Sequence, residues 1–156
     1  MGLTVCSMTK SVNLVCKDGM MPTEDQTKAV KTPSDAVARF CAALPKEQKE
    51  ERVFVLPLDG NGKVLAKPIL VSVGHADGTA AIDAGAIFRE ALKAGAEEII
   101  VAHNHPSGDL TPSKEDITAT AELKDLASRL KVDLLDHLIV GSSELAYVSF
   151  AEEDLL

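Results

Sequence analysis

Aromatic side chains are scarce in this sequence. They make up 3% of it, with no Trp and a single Tyr. A core without large rings has to be filled by Val, Ile, Leu and Ala, a mix that fits helices packed on a sheet. Cysteine offers no framework either. Cys6, Cys16 and Cys41 are odd in number and irregularly spaced, so free thiols in a reducing cytosol are expected rather than a disulfide scaffold. No apolar run reaches the length of a membrane span. The opening stretch lacks the basic start and compact apolar segment of a signal peptide. The expectation is a cytoplasmic protein with no membrane contact. Clustered positive charge is missing too. The 16 Lys and Arg are scattered among 24 Asp and Glu, and the net charge is −8. That balance speaks against binding a nucleic-acid backbone.

What is present suits one domain. The 156 residues are 46% hydrophobic and 26% charged, an ordinary globular balance. Residues 1–31 carry little pattern beyond a short apolar run at 12–16, and they read as an N-terminal arm, poorly ordered, ahead of a domain over 32–156. Ser34 offers a cap to a helix bearing Val37, Phe40 and Cys41, which Pro45 ends. Residues 52–58 form a β-rich run. Asp59-Gly60-Asn61-Gly62 is a hairpin turn, with a returning strand predicted over 63–73. A helix follows over 84–95, closed by Gly95, and then a short apolar strand over 98–102, buried on both faces. A turn-rich segment over 103–112 leads to a long helix over 113–130. Strands over 132–140 and 146–150 close the chain. The layout is α/β, a mixed sheet with flanking helices.

The informative segment is His103-Asn104-His105-Pro106-Ser107-Gly108-Asp109-Leu110-Thr111-Pro112-Ser113-Lys114-Glu115-Asp116. His103 and His105 alternate across one residue at a strand end, so their imidazoles share a face. Pro106, Gly108 and Pro112 bend the connection and stiffen it. The first turn of the next helix, with Asp116, can then return beneath the histidines. Two imidazoles and a carboxylate form a three-ligand set with an open fourth position. Zinc is its usual occupant, although Fe(II) uses similar sets. A second reading needs no metal, because Ser113 and Asp116 also fit a helix N-cap with an acidic residue three positions on. Residue chemistry alone leaves both readings open.

The same segment resembles the JAMM signature: His-x-His, seven residues, Ser, two residues, Asp. In its fuller form it resembles the RadC-like branch of the JAB/MPN metallopeptidase fold. The likeness extends over residues 32–150. It takes in the lead-in helix over 32–44, the first strand over 51–59, the helix and strand over 88–102, and Leu135-Asp136-His137 with its apolar run. The resemblance implies the JAB/MPN fold, a layered architecture like that of cytidine deaminase. It implies zinc held by His103, His105 and Asp116, with Ser113 stabilising an oxyanion. It also implies a hydrolase of peptide or isopeptide bonds, acting on a peptide or protein along a strand edge. The contiguous letters His103-Asn104-His105 carry no nuclease meaning, since the HNH nuclease motif spreads over a longer unit.

The sequence departs from the family in three places. The general-base Glu is expected on the second hairpin strand, where Ile69 stands instead, and no acidic residue lies between Gly60 and His75. Glu50, Glu51, Asp59, Asp77 and His75 offer substitutes but read first as solvated loop residues, with His75 taken as a weak candidate base. A missing base costs about 10²–10⁴ in rate, which leaves enzymatic activity open. The basic stretch that often opens the helix before the motif is replaced by Asp83-Ala84-Gly85-Ala86. Residues 1–31 do not resemble the helix-hairpin-helix-like region usual in RadC proteins. Two rival readings therefore stand beside the hydrolase: a zinc-binding module that docks a protein partner, and a DNA-repair accessory that rests on the family name alone. Asp136 and His137 read either as groups supporting the metal ligands or as a hydrogen-bonded buried pair.

Overall fold

The computed structural model describes residues 28–74, 82–141 and 146–156. The arm expected over 1–31 lies mostly outside them, as do His75 and Asp77. Helix α1, Pro33–Ala43, comes first, followed by strands β1, Arg52–Leu58, and β2, Ile69–Val73. Helix α2, Ala84–Lys93, then leads into β3, Glu98–Asn104. Helix α3, Lys114–Leu130, precedes β4, Asp133–Val140, and β5, Tyr147–Ser149. The five strands form one sheet in the order β2-β1-β3-β4-β5. β3 and β4 run parallel, and every other pair is antiparallel. The mixed sheet expected from the sequence is present.

Side-chain alternation sends the two faces of this sheet into two cores. Phe54, Leu56, Leu58, Ile100, Ala102, Leu138 and Val140 face α1 and pack on Val37 and Phe40. Val53, Val55, Ile99 and Val101 face the other way, onto Ile87, Phe88 and Ala91 of α2 and Leu123 and Ala127 of α3. β1 and β3 are buried on both faces, which explains their nearly unbroken apolar sequence. Phe88 is only 2% exposed. Phe88→Ala is expected to cost about 3–5 kcal/mol of stability. A lower denaturant midpoint at unchanged slope is the result to look for.

Two local expectations change. The cap of α1 is Thr32, not Ser34. Thr32 Oγ1 accepts the Asp35 N–H, Asp35 Oδ2 accepts the Thr32 N–H in turn, and Pro33 takes the first helical position. Ser34 instead lies 3.3 Å from the Tyr147 hydroxyl. The returning hairpin strand is also shorter than the predicted 63–73. The turn forms as read, with Asp59 Oδ1 accepting the Asn61 and Lys63 N–H groups and Gly62 at φ +74°. Leu58 then faces Val64, whereas Val55 faces Ile69. Three steps along β1 thus match five on the returning chain, and the surplus is taken up before β2 begins. Pro68, with no N–H for a ladder, lies in that surplus. The segment before α1 is packed as well. Val30 lies against the α1-side core, and its N–H donates to Gly62 O at 2.8 Å.

Candidate metal centre

His103 is the last but one residue of β3, and it has the parity of Ile99 and Val101. Its imidazole therefore enters the face covered by α2 and α3. His105 follows two residues later on the same side. The loop then turns through Gly108, whose φ of +80° suits glycine, and Gly108 N–H donates to His105 O at 2.9 Å. Asp109 Oδ1 accepts the Thr111 N–H, and Asp109 O accepts His105 Nδ1–H at 2.7 Å. A carbonyl can only accept, so His105 carries a proton on Nδ1 and turns Nε2 into the site.

The loop delivers Ser113 as the N-cap of α3, and a capping box locks the first turn. Ser113 Oγ accepts the Asp116 N–H at 3.0 Å, while Asp116 Oδ2 accepts the Ser113 N–H at 2.8 Å. The two sequence readings of Asp116 are therefore not alternatives. The same carboxylate caps the helix and faces the histidines. Asp116 Oδ1 is 3.2 Å from His103 Nε2, Asp116 Oδ2 is 3.3 Å from His105 Nε2, and the two Nε2 atoms are 3.0 Å apart.

A fourth group joins them. The donor atoms of Glu51, His103, His105 and Asp116 all lie within 4.8 Å of one another. Glu51 precedes β1 and is buried, not solvated as expected of a residue in a connecting loop. Strand pairing puts it there. Val53 pairs with His103 in the antiparallel β1/β3 register, and two steps further bring Glu51 level with His105. Asn104, fully buried between the histidines, holds this lead-in segment. Its Oδ1 accepts the Arg52 N–H at 2.8 Å and its Nδ2 donates to Glu50 O at 3.1 Å. Ile69, at the position expected for the Glu, pairs with Val55 on the far side of β1 and packs into the α2-side core.

The cluster fits a divalent ion. Four donors around a tetrahedral ion stand roughly 3.3–3.5 Å apart. The two Nε2 atoms, and each Nε2 with its nearer Asp116 oxygen, are close to that spacing. Two carboxylates and two imidazoles, largely withdrawn from water, also need a positive charge among them. Burial pushes the Asp116 carboxyl up. Hydrogen bonds from His103 and His105, the charge of His103 and the Ser113 N–H outweigh it and hold the group far below the usual carboxylate range. The hydrogen bond to Asp116 raises His105 against the opposing effect of its own burial.

A second polar layer lies behind His103. His103 Nδ1 is 2.9 Å from His137 Nε2, and His137 Nδ1 is 2.7 Å from Thr120 Oγ1. His137 is fully buried and stacks on Phe150, with ring centroids 4.6 Å apart. Burial, with the neighbouring charge of His103, pushes its pKa down to about 3, so it is neutral. Asp136 points elsewhere. It accepts from the Ser149 hydroxyl at 2.6 Å and from the His137 and Ala151 N–H groups, tying β4 to the chain after β5. Desolvation nevertheless leaves its carboxyl raised.

The sequence profile of the RadC-like JAB domain matches residues 30–155. A UPF0758 protein of Clostridium perfringens is 37% identical over 127 residues, covering 81% of this chain and 54% of its own length. One from Carboxydothermus hydrogenoformans is 44% identical over 108 residues, 69% of this chain and 46% of its own. One from Trichormus variabilis is 44% identical over 115 residues, 72% of this chain and 46% of its own. The chain thus spans about half the length of the curated relatives it matches. Profile, identity and fold agree, and the chain belongs to the RadC-like JAB domain family.

Proposed function

We propose that this domain is a zinc-dependent hydrolase of peptide or isopeptide bonds, with His103, His105 and Asp116 as ligands and Glu51 as general base. The observation that carries the reading is the buried convergence of Glu51 on the three donors, all within 4.8 Å. Zinc suits two imidazoles and one carboxylate, and when bound in such a set it supplies Lewis acidity toward a carbonyl and toward a coordinated water. The rest of the chemistry belongs to the chain. Glu51 accepts a proton from the attacking water and returns it to the departing amine. Ser113 Oγ already accepts the Asp116 N–H, so its own O–H is left to donate to the oxyanion of the substrate. Asn104 keeps Glu51 in place through the backbone on either side of it. The reading of a zinc module without turnover rests on a missing Glu and on the altered stretch Asp83 to Ala86; Glu51 offers a carboxylate against the first and leaves the second standing.

A panel of peptide and isopeptide-linked substrates tests the proposal. Cleavage is expected with the zinc-loaded domain, is lost on chelation and returns when zinc is restored. Stoichiometric zinc uptake with no cleavage of any amide would leave a binding module in its place.

A further inference from the structure

We propose that His137 is a positioning residue that commits Nδ1 of His103 as a donor, so that His103 presents Nε2 to the metal. The proposal rests on the metal reading above and adds a residue to it. One atom in the chain of contacts has no choice of role. The main-chain oxygen of Asp116 can only accept, and it takes the Thr120 hydroxyl proton at 2.7 Å. Thr120 has one proton to give. At its second contact, 2.7 Å from His137 Nδ1, its oxygen therefore accepts, and His137 carries its proton on Nδ1.

His137 is fully buried, and its ring meets His103, Thr120 and Phe150. The adjacent Asp136 carboxylate is occupied by Ser149 and by backbone N–H groups. An imidazole so placed carries one ring proton only, so its Nε2 is bare and accepts. Across the 2.9 Å contact, His103 must then donate from Nδ1. Its Nε2 is then the ring nitrogen that faces His105 Nε2 and Asp116 Oδ1, at 3.0 and 3.2 Å, and the one left for a metal. On the other side of the site, the carbonyl of Asp109 imposes the same tautomer on His105. Asp116 thus serves His103 twice. Its carboxylate shares the site, and its carbonyl, through Thr120 and His137, orients the ring that shares it. Ligating histidines depend on such partners to fix ring and tautomer.

Long-range ¹⁵N–¹H NMR of the histidine rings, in metal-free and zinc-loaded protein, reads this directly. His137 is expected as the neutral Nδ1–H form in both states. Zinc titration of His137→Leu and His137→Gln supplies the second measurement. Leu removes the acceptor and is expected to weaken zinc binding by about 10–100-fold. Gln offers an oxygen to His103 and an amide N–H to Thr120, and is expected to restore most of the loss. A residue that only fills space predicts the opposite order, with apolar Leu the better replacement. A proton on Nε2 of His137 in the wild-type spectra, or a Leu variant that binds zinc as tightly as wild type, overturns the proposal. The spectra decide even if the Leu variant fails to fold. No zinc uptake by wild type sinks the metal reading and this proposal together, whereas zinc uptake with Nε2–H at His137 sinks this proposal alone.

Discussion

Glu51→Gln is expected to leave zinc in place while lowering turnover of a scissile amide by about 10²–10⁴. The substitution keeps the shape of a side chain that is 9% exposed and removes its ability to accept a proton. The three donors at 3.0–3.3 Å from one another remain, so the ligand set is intact. Metal content and kcat measured on the same preparation separate the two roles open to a carboxylate in this cluster. Full occupancy with slow turnover marks a base. Loss of zinc would mark Glu51 as a fourth ligand and leave the attacking water without an identified acceptor.

The contrast between Glu51 and the other site residues shows what a sequence reveals. His103 and His105 are related by strand alternation, and Ser113 and Asp116 by the spacing of a helix cap. Both relations act over a few residues, and both are visible in the letters. Glu51 reaches the site only through the pairing of β1 with β3, which joins residues about fifty positions apart. Nothing local distinguishes it from Glu50, whose side chain is exposed and paired with Arg52 at 3.2 Å. The usable signal was Val53 in the first strand of an antiparallel pair with the His103 strand, which carries Glu51 level with His105. The role of Asn104 is hidden from the sequence for a related reason. Its two hydrogen bonds go to the backbone of residues 50 and 52, and no side-chain pattern records them. The hairpin shows the same limit. Asp59 to Gly62 dictates the turn, but the two-residue surplus before β2 is set by how β1 and β2 pair further along.

Asp116 carries the other large effect, because one carboxylate does two jobs that two substitutions can separate. Asp116→Ala removes a ligand oxygen and half of the capping box. Asp116→Asn removes the charge but keeps an oxygen that can accept the Ser113 N–H, now 2.8 Å from Oδ2. Cap loss costs about 0.5–2 kcal/mol, so metal-free Asp116→Ala should be less stable than wild type by about 1 kcal/mol, and Asp116→Asn by less. In both variants the stabilisation that wild type gains from zinc should vanish. At a free zinc concentration a thousandfold above the dissociation constant, that gain is about 4 kcal/mol. Denaturant unfolding with and without zinc therefore reads two differences on one protein. An Asp116→Asn variant that keeps the full zinc-dependent gain would remove Asp116 from the ligand set and leave it the cap of α3 alone. A variant that loses the gain while its metal-free stability barely moves assigns the carboxylate charge to the metal and the oxygen to the helix.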